Sequence, residues 1–302
     1  MALDQRSSTT GKFNFTVDGS QVAFIKSFSG FDHEGDVVAN DLSGFAFQSK
    51  HLANFKTTPG KVKVGAGMGK AFWDWMKASL EAGYVRKSGS VIWGDFDYNA
   101  RTELTWKDAL ITSIGLPAFD ASAKEAIYFD IEITAETSRI AKASGKIAST
   151  YKAGQKAFLS NNFRLEIDGL NCTRVSKIDA MTWKCSIATD HTGPQREPQI
   201  VPAKQTHPDM KFYVSATDFA DWSAAAEKWF IAGETTESNH YQGRLSLLGP
   251  NMKDVMAVIE LKNLGFKSFK RGALTQNDEK TAQMEVEMYM EHMTFSEYKA
   301  DA

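Results

Sequence analysis

The chain has 302 residues, of which 42% are hydrophobic and 24% charged, and its formal net charge is −2. That length suits two domains of about 150 residues, each able to hold its own core, and the composition argues against disorder. The even charge balance gives no overall basic field for nucleic acid, and no run approaches the ~18 apolar residues of a membrane-spanning helix.

Met1 to Thr10 carries Asp4 and lacks an apolar centre, so it reads as a short flexible arm and not as a signal peptide. Phe13, Phe15 and Val17 then alternate with polar residues and run into Asp18-Gly19, the pattern of a half-buried strand entering a hairpin turn. The same phrase returns as Phe163, Leu165, Ile167 and Asp168-Gly169, and the echo continues, with Val22, Ile25 and Phe28 answered by Cys172, Val175 and Ile178. A fixed internal period governs the architecture, so the chain is read as two copies of one domain. The expected boundaries are 1–136, a linker at 137–160, and 161–302.

Residues 33–59 and 188–208 read as long irregular connections, the second holding Pro194, Pro198, Pro202 and Pro208. Proline removes a backbone donor, so that stretch cannot be an interior strand. A strand follows at Lys61–Val64 and again at Lys211–Val214, then a helix at Lys70–Ala82 and Thr217–Ala232. Gly83 and Gly233 stand where a C-cap is wanted. Phe72, Trp75, Met76 and Leu80 form one apolar stripe, and Trp73 and Trp75 read as core or edge packing. Ser90–Trp93, Thr102–Ile114 and Ala126–Ala135 close the first copy as strands. Gly243–Leu248, Val255–Phe269 and Thr281–Met293 close the second. One helix among six or seven strands gives a mainly β (α+β) class, two tandem β-sandwich or β-barrel domains each flanked by a helix. Between them, Arg139, Lys142, Lys146, Lys152 and Lys156 make a basic linker.

Catalytic signals are weak. Gly65-Ala66-Gly67-Met68-Gly69-Lys70 follows a strand and precedes a helix. Yet Val64 stands where a Walker motif needs glycine and Ala71 where it needs Ser or Thr, so a turn is expected. Asp32-His33-Glu34-Gly35-Asp36 resembles a calcium loop, but Ser43 occupies its twelfth position, so a polar turn is expected. Cys172 and Cys185 are expected as free packed thiols, and no metal, cofactor or catalytic residue is assigned. The six histidines show no paired spacing. In the last strands, Asp130, Glu132 and Glu136 interleave with Phe129, Ile131 and Ile133, and Glu285, Glu287 and Glu291 with Met284, Val286 and Met288. One face is therefore apolar and the other acidic. Such a face is an ordinary solvated surface, or one that lets a polyanion slide past without sticking.

The segment FRLEIDGLNCTRVSKIDAM, the Trp-Asp-Trp helix and TWKDALITSIGLPAFDASAKEAIYFDIEITAE together resemble the tail tube proteins of contractile bacteriophage tails and related injection machines. The matching stretches are Phe163–Gly169, Ala71–Trp75, Trp106–Pro117 and Glu125–Glu136. The resemblance implies a structural virion protein assembled in the bacterial cytoplasm. It implies stacked rings around a DNA channel, with sheath, baseplate and tail terminator proteins as partners. Family members hold one such domain and form six-membered rings, so the duplication implies either three chains per ring or six chains spanning two rings. Long loops would reach adjacent rings, the helix would face the sheath, and the six acids above would line the channel. A baseplate hub, the tube of a non-viral injector, or a tandem carbohydrate-binding module using Trp93 or Trp183 are the alternatives.

Overall fold

The computed structural model describes residues 11–22, 25–40, 48–65, 67–147, 157–272 and 281–298; the expected N-terminal arm and the middle of the expected linker lie outside them. The first repeat contains β1 (Phe13–Val17), β2 (Ser20–Gln21), β3 (Ile25–Ser29), β4 (His33–Asn40), β5 (Ser49–Thr57), β6 (Gly60–Val64), α1 (Lys70–Leu80), β7 (Lys87–Gly94), β8 (Ala100–Leu116), β9 (Phe119–Asp120), β10 (Phe129–Thr134) and β11 (Thr137–Lys142). The second contains β12 (Phe163–Ile167), β13 (Val175–Ile178), β14 (Met181–Asp190), β15 (Gln199–Thr206), β16 (Met210–Ser215), α2 (Phe219–Phe230), β17 (Tyr241–Leu248), β18 (Val255–Arg271) and β19 (Gln283–Tyr298). Both helices are far too short to cross a membrane, and no described helix is long and apolar enough to do so.

The opening turn forms because Asp18 and Gly19 both take positive φ, 47° and 75°, which lets Val17 pair directly with Ser20. Strand order in the first repeat is β1-β7-β8-β10-β6-β3, and in the second β12-β17-β18-β19-β16-β13. Each strand sits beside the counterparts of its neighbours in the other copy, so the two halves share one topology. Each core is built on the same helix tryptophan, held by different partners. Trp75 lies over Trp106 at 6.1 Å and donates its indole N–H to the Val85 carbonyl at 2.7 Å. Its counterpart Trp222 packs on Phe212 at 5.5 Å and donates to the Asn171 carbonyl at 3.1 Å. Buried indoles satisfied in this way contribute apolar area without leaving a desolvated donor.

Four expectations change. The segments read as irregular connections are antiparallel hairpins, β4–β5 and β14–β15. Pro202 is accommodated because, among the described residues, β15 pairs with β14 alone and so is an edge strand. The stretch Asp32–Asp36, expected as a polar turn, is largely strand β4, and the start of the expected linker is strand β11, which pairs with β8 from Thr137–Lys107 to Lys142–Thr102. Strand β19 carries this same path unbroken, where the first copy bends between β10 and β11. Finally, the first helix ends through Ala82 and Tyr84, at φ 59° and 42°, whereas Gly233 does take positive φ after α2.

Cys172 and Cys185 are free thiols. Burial pushes the Cys172 thiol up to about 11, so it is held as an inert packed group.

Candidate channel face and repeat junction

Alternation along β10 and β19 does divide apolar from acidic side chains. Phe129, Ile131 and Ile133 are buried, as are Met284, Val286 and Met288. The carboxylates on the other face meet cations held by neighbouring strands. Asp130 lies opposite Lys63 and pairs with it at 3.1 Å, and Glu132 lies opposite Lys61, also at 3.1 Å. Glu285 is gripped by Lys211 at 3.0 Å and Lys270 at 3.2 Å, and Glu287 by Lys267 at 2.7 Å. The hydrogen bond from Lys211, with Lys270 beside it, holds the Glu285 carboxyl below its ordinary range. The face is thus a ladder of ion pairs, each weak because it is exposed, and not a bare acidic strip.

Two of the six acids leave that row. Glu136 turns away to accept from Arg86 at 2.8 Å and from the Ile200 backbone N–H at 3.0 Å. Glu291 accepts from the Asn263 amide at 2.6 Å. The lysines that complete the row lie one strand away, at positions that alternation along a single strand does not reveal. Among the described residues no group of His, Cys, Asp or Glu is arranged to hold a metal. Lys70 of the glycine-rich turn is engaged with Asp74 at 2.7 Å, and Trp183 is fully buried.

Two strand pairings join the repeats at a seam. Strand β14 of the second copy adds to β8 of the first, with Met181 opposite Leu116, Thr182 opposite Gly115, Trp183 opposite Ile114 and Lys184 opposite Ser113. Strand β9 of the first copy adds to β13 of the second, Phe119 opposite Ile178 and Asp120 opposite Lys177. Neither sheet therefore belongs to one repeat. Four strands of each copy, β3-β6-β10-β8 and β13-β16-β19-β18, meet edge to edge through this exchange.

Behind the sheet, α1 closes the seam. Trp73 meets Phe295 edge-on at 5.1 Å and stacks on Tyr298 at 5.3 Å, and Tyr298 donates to Asp74. Thr294 donates to Glu81 at 2.7 Å, and Gln205 to the Ser79 carbonyl at 3.2 Å. Arg139 forks onto Glu197 of the β14–β15 loop, and that hydrogen bond holds the Glu197 carboxyl below its usual range. His207 and His292 meet at 5.2 Å near the same seam. Burial lowers both imidazoles, reinforced at His207 by the facing His292 and at His292 by Lys262. Trp73 was expected only as packing. What distinguishes it in the sequence is that its counterpart in the second helix is Ala220, so the indole stands on one copy alone.

Residues 9–139 match the family model described as T4-like virus tail tube protein gp19. No curated protein matches the chain. Among solved structures, the sheath-tube complex of an extracellular contractile injection system, PVC, is 18% identical. That match covers 46% of this chain and 95% of that one, with a TM-score of 0.41. The tube-terminating cap of the anti-feeding prophage is 22% identical, covering 47% and 95%, with a TM-score of 0.40. Hcp1 from Flavobacterium johnsoniae is 20% identical, covering 46% and 99%, with a TM-score of 0.31.

Proposed function

We infer, from a first repeat that matches the model of the T4-like virus tail tube family and a second that copies its topology, that this chain is a structural component of a contractile tail. Its subunits build the inner tube, stacking as rings around a channel through which DNA passes without specific binding. The observation that carries this reading is the seam, where two tube domains already share hydrogen-bonded strand edges. A chain that has joined two domains side by side supplies two adjacent positions of one ring, so three chains complete six positions. Pairing edge to edge removes exposed strand edges and makes a stiff cylinder. The ion-pair ladder on β6, β10, β16 and β19 is the face that lines the channel, since balanced charges give a polyanion nothing to hold. Sheath, baseplate and tail terminator proteins are the partners this role requires, and assembly takes place in the host cytoplasm.

Negative-stain microscopy of the purified chain tests the reading. Rings or hollow rods are expected, with six density lobes per ring. A lone subunit at every concentration refutes it.

A further inference from the structure

The seam inside the chain leaves the same two surfaces unused at its outer ends. On one end, among the described residues β3 pairs with β6 on one side only, and the β4–β5 hairpin is a separate two-stranded sheet with every residue of β4 exposed. On the other end, β18 pairs with β17 only as far as Leu264, so, among the described residues, 265–271 are hydrogen-bonded to β19 alone. These are the counterparts of the edges already joined. Phe28 pairs with Val62 as Ile178 does with Phe212, which places the first copy 150 residues before the second at this hairpin. Ile114 pairs with Ile131 as Phe269 does with Val286, an offset of 155 in both strands. The β14 edge that reaches β8 is therefore matched by the start of β4, and the docking stretch of β8 by residues 268–271.

The helix repeats the argument. Phe295, which covers Trp73, pairs with Ile259 as Ile140 pairs with Leu104, so Ile140 occupies its position in the first copy. Phe295 is fully buried, whereas Ile140 is 62% exposed. Tyr84, just past α1, contacts Ala203 and Gln205 of β15. Just past α2 stands Ile231, 83% exposed, and the counterpart of β15 is β5, which bears the exposed Leu52.

We propose that the β4 edge of one chain adds to the open β18 edge of a second copy, while β11 and β5 of the first cover the end of α2. This rests on the ring reading above and names its contacts. Transferring the internal register sets Asp32 opposite Lys270 and Glu34 opposite Ser268, and the first of these is a cross-strand opposite-charge pair. The two surfaces differ, so the contact is head-to-tail and leads to a closed ring, not a two-fold dimer.

The test is a cysteine pair, Asp32→Cys with Lys270→Cys, in the full chain, oxidised and run on a non-reducing gel. Covalent products of two and three chains and no larger species are expected, with no product from either single variant. Particles are imaged from the same sample. Rings or rods without cross-links overturn this register and leave the tube standing; lone subunits without cross-links overturn both. A second measurement avoids disulfide chemistry. Asp32→Lys and Lys270→Asp should each weaken self-association, by up to about fivefold per junction, and the double exchange should recover most of it. Losses that simply add in the double variant overturn the proposed pairing.

Discussion

Replacing Trp73 by alanine removes the indole through which the first helix grips the second repeat. The side chain is fully buried and touches Phe295 at 5.1 Å, Tyr298 at 5.3 Å and Phe129 at 5.8 Å. A buried indole takes about 200 Å² from water, worth about 5 kcal/mol at roughly 25 cal/mol per Å², and each good aromatic pair adds about 0.5–1.5 kcal/mol. Against this, the Trp73 N–H finds no acceptor among the described residues, so its removal returns about 1 kcal/mol of desolvation. Alanine also keeps part of the apolar area. The expected loss is about 3–5 kcal/mol, the range typical of Trp-to-Ala changes in cores. Urea unfolding followed by circular dichroism measures the total. Amide hydrogen exchange then locates it: protection should fall at Met181–Lys184 and at residues 113–116, the paired strands of the seam. A loss below about 1 kcal/mol, or unchanged protection there, refutes the view that the helix locks the two repeats together.

Glu136→Gln should loosen the hairpin more than the domain, costing about 1 kcal/mol once the exposure of Arg86 is discounted, with faster exchange at the Ile200 amide as its sign. Both His207 and His292 are held below the ordinary histidine value, so the unfolded chain binds more protons as the solution turns mildly acidic. Their contribution to stability is therefore complete above about pH 6.5 and declines as pH falls toward the lowered folded values. A His207→Gln variant should show a flatter midpoint-versus-pH curve in that window; an unchanged slope refutes the assignment. Glu285→Gln combined with Glu287→Gln frees Lys211 and removes one carboxylate partner each from Lys270 and from Lys267, which keeps Asp209. Such tubes should retain DNA in co-sedimentation at low salt and release it as salt rises, while unmodified tubes retain little. Ile231→Ser should leave the thermal midpoint of the isolated chain unchanged and weaken its self-association in sedimentation velocity.

Much of each domain was legible because its signals are local. Alternation at Phe13–Val17 and Phe163–Ile167, the Asp-Gly turns and the apolar stripe of Phe72, Trp75, Met76 and Leu80 need only a few neighbouring residues to read. The hairpins were missed because β4 and β14 find their partners in different places. β14 borrows β8 from the other copy, and among the described residues β4 has only β5. Proline near β15 suggested irregularity, when it marks only an unpaired edge. The acidic row was visible in order but not in charge, since Lys61, Lys63, Lys211 and Lys267 come from other strands. Strand β11 was hidden by its basic, exposed side chains, which read as a linker until β8 is seen to bind its backbone.

The indole at Trp73 and the methyl at Ala220 occupy matching places on the two helices, and this difference has a mechanical consequence. A cylinder made of such chains has unlike joints in alternation. Those within a polypeptide are tethered and filled by a tryptophan against Phe295 and Tyr298, and those between polypeptides are untethered and closed by smaller groups. On dilution, or under a force that widens the ring, it should break along every second joint, shedding whole double units. A tube of identical single-domain subunits has no such preferred fracture line.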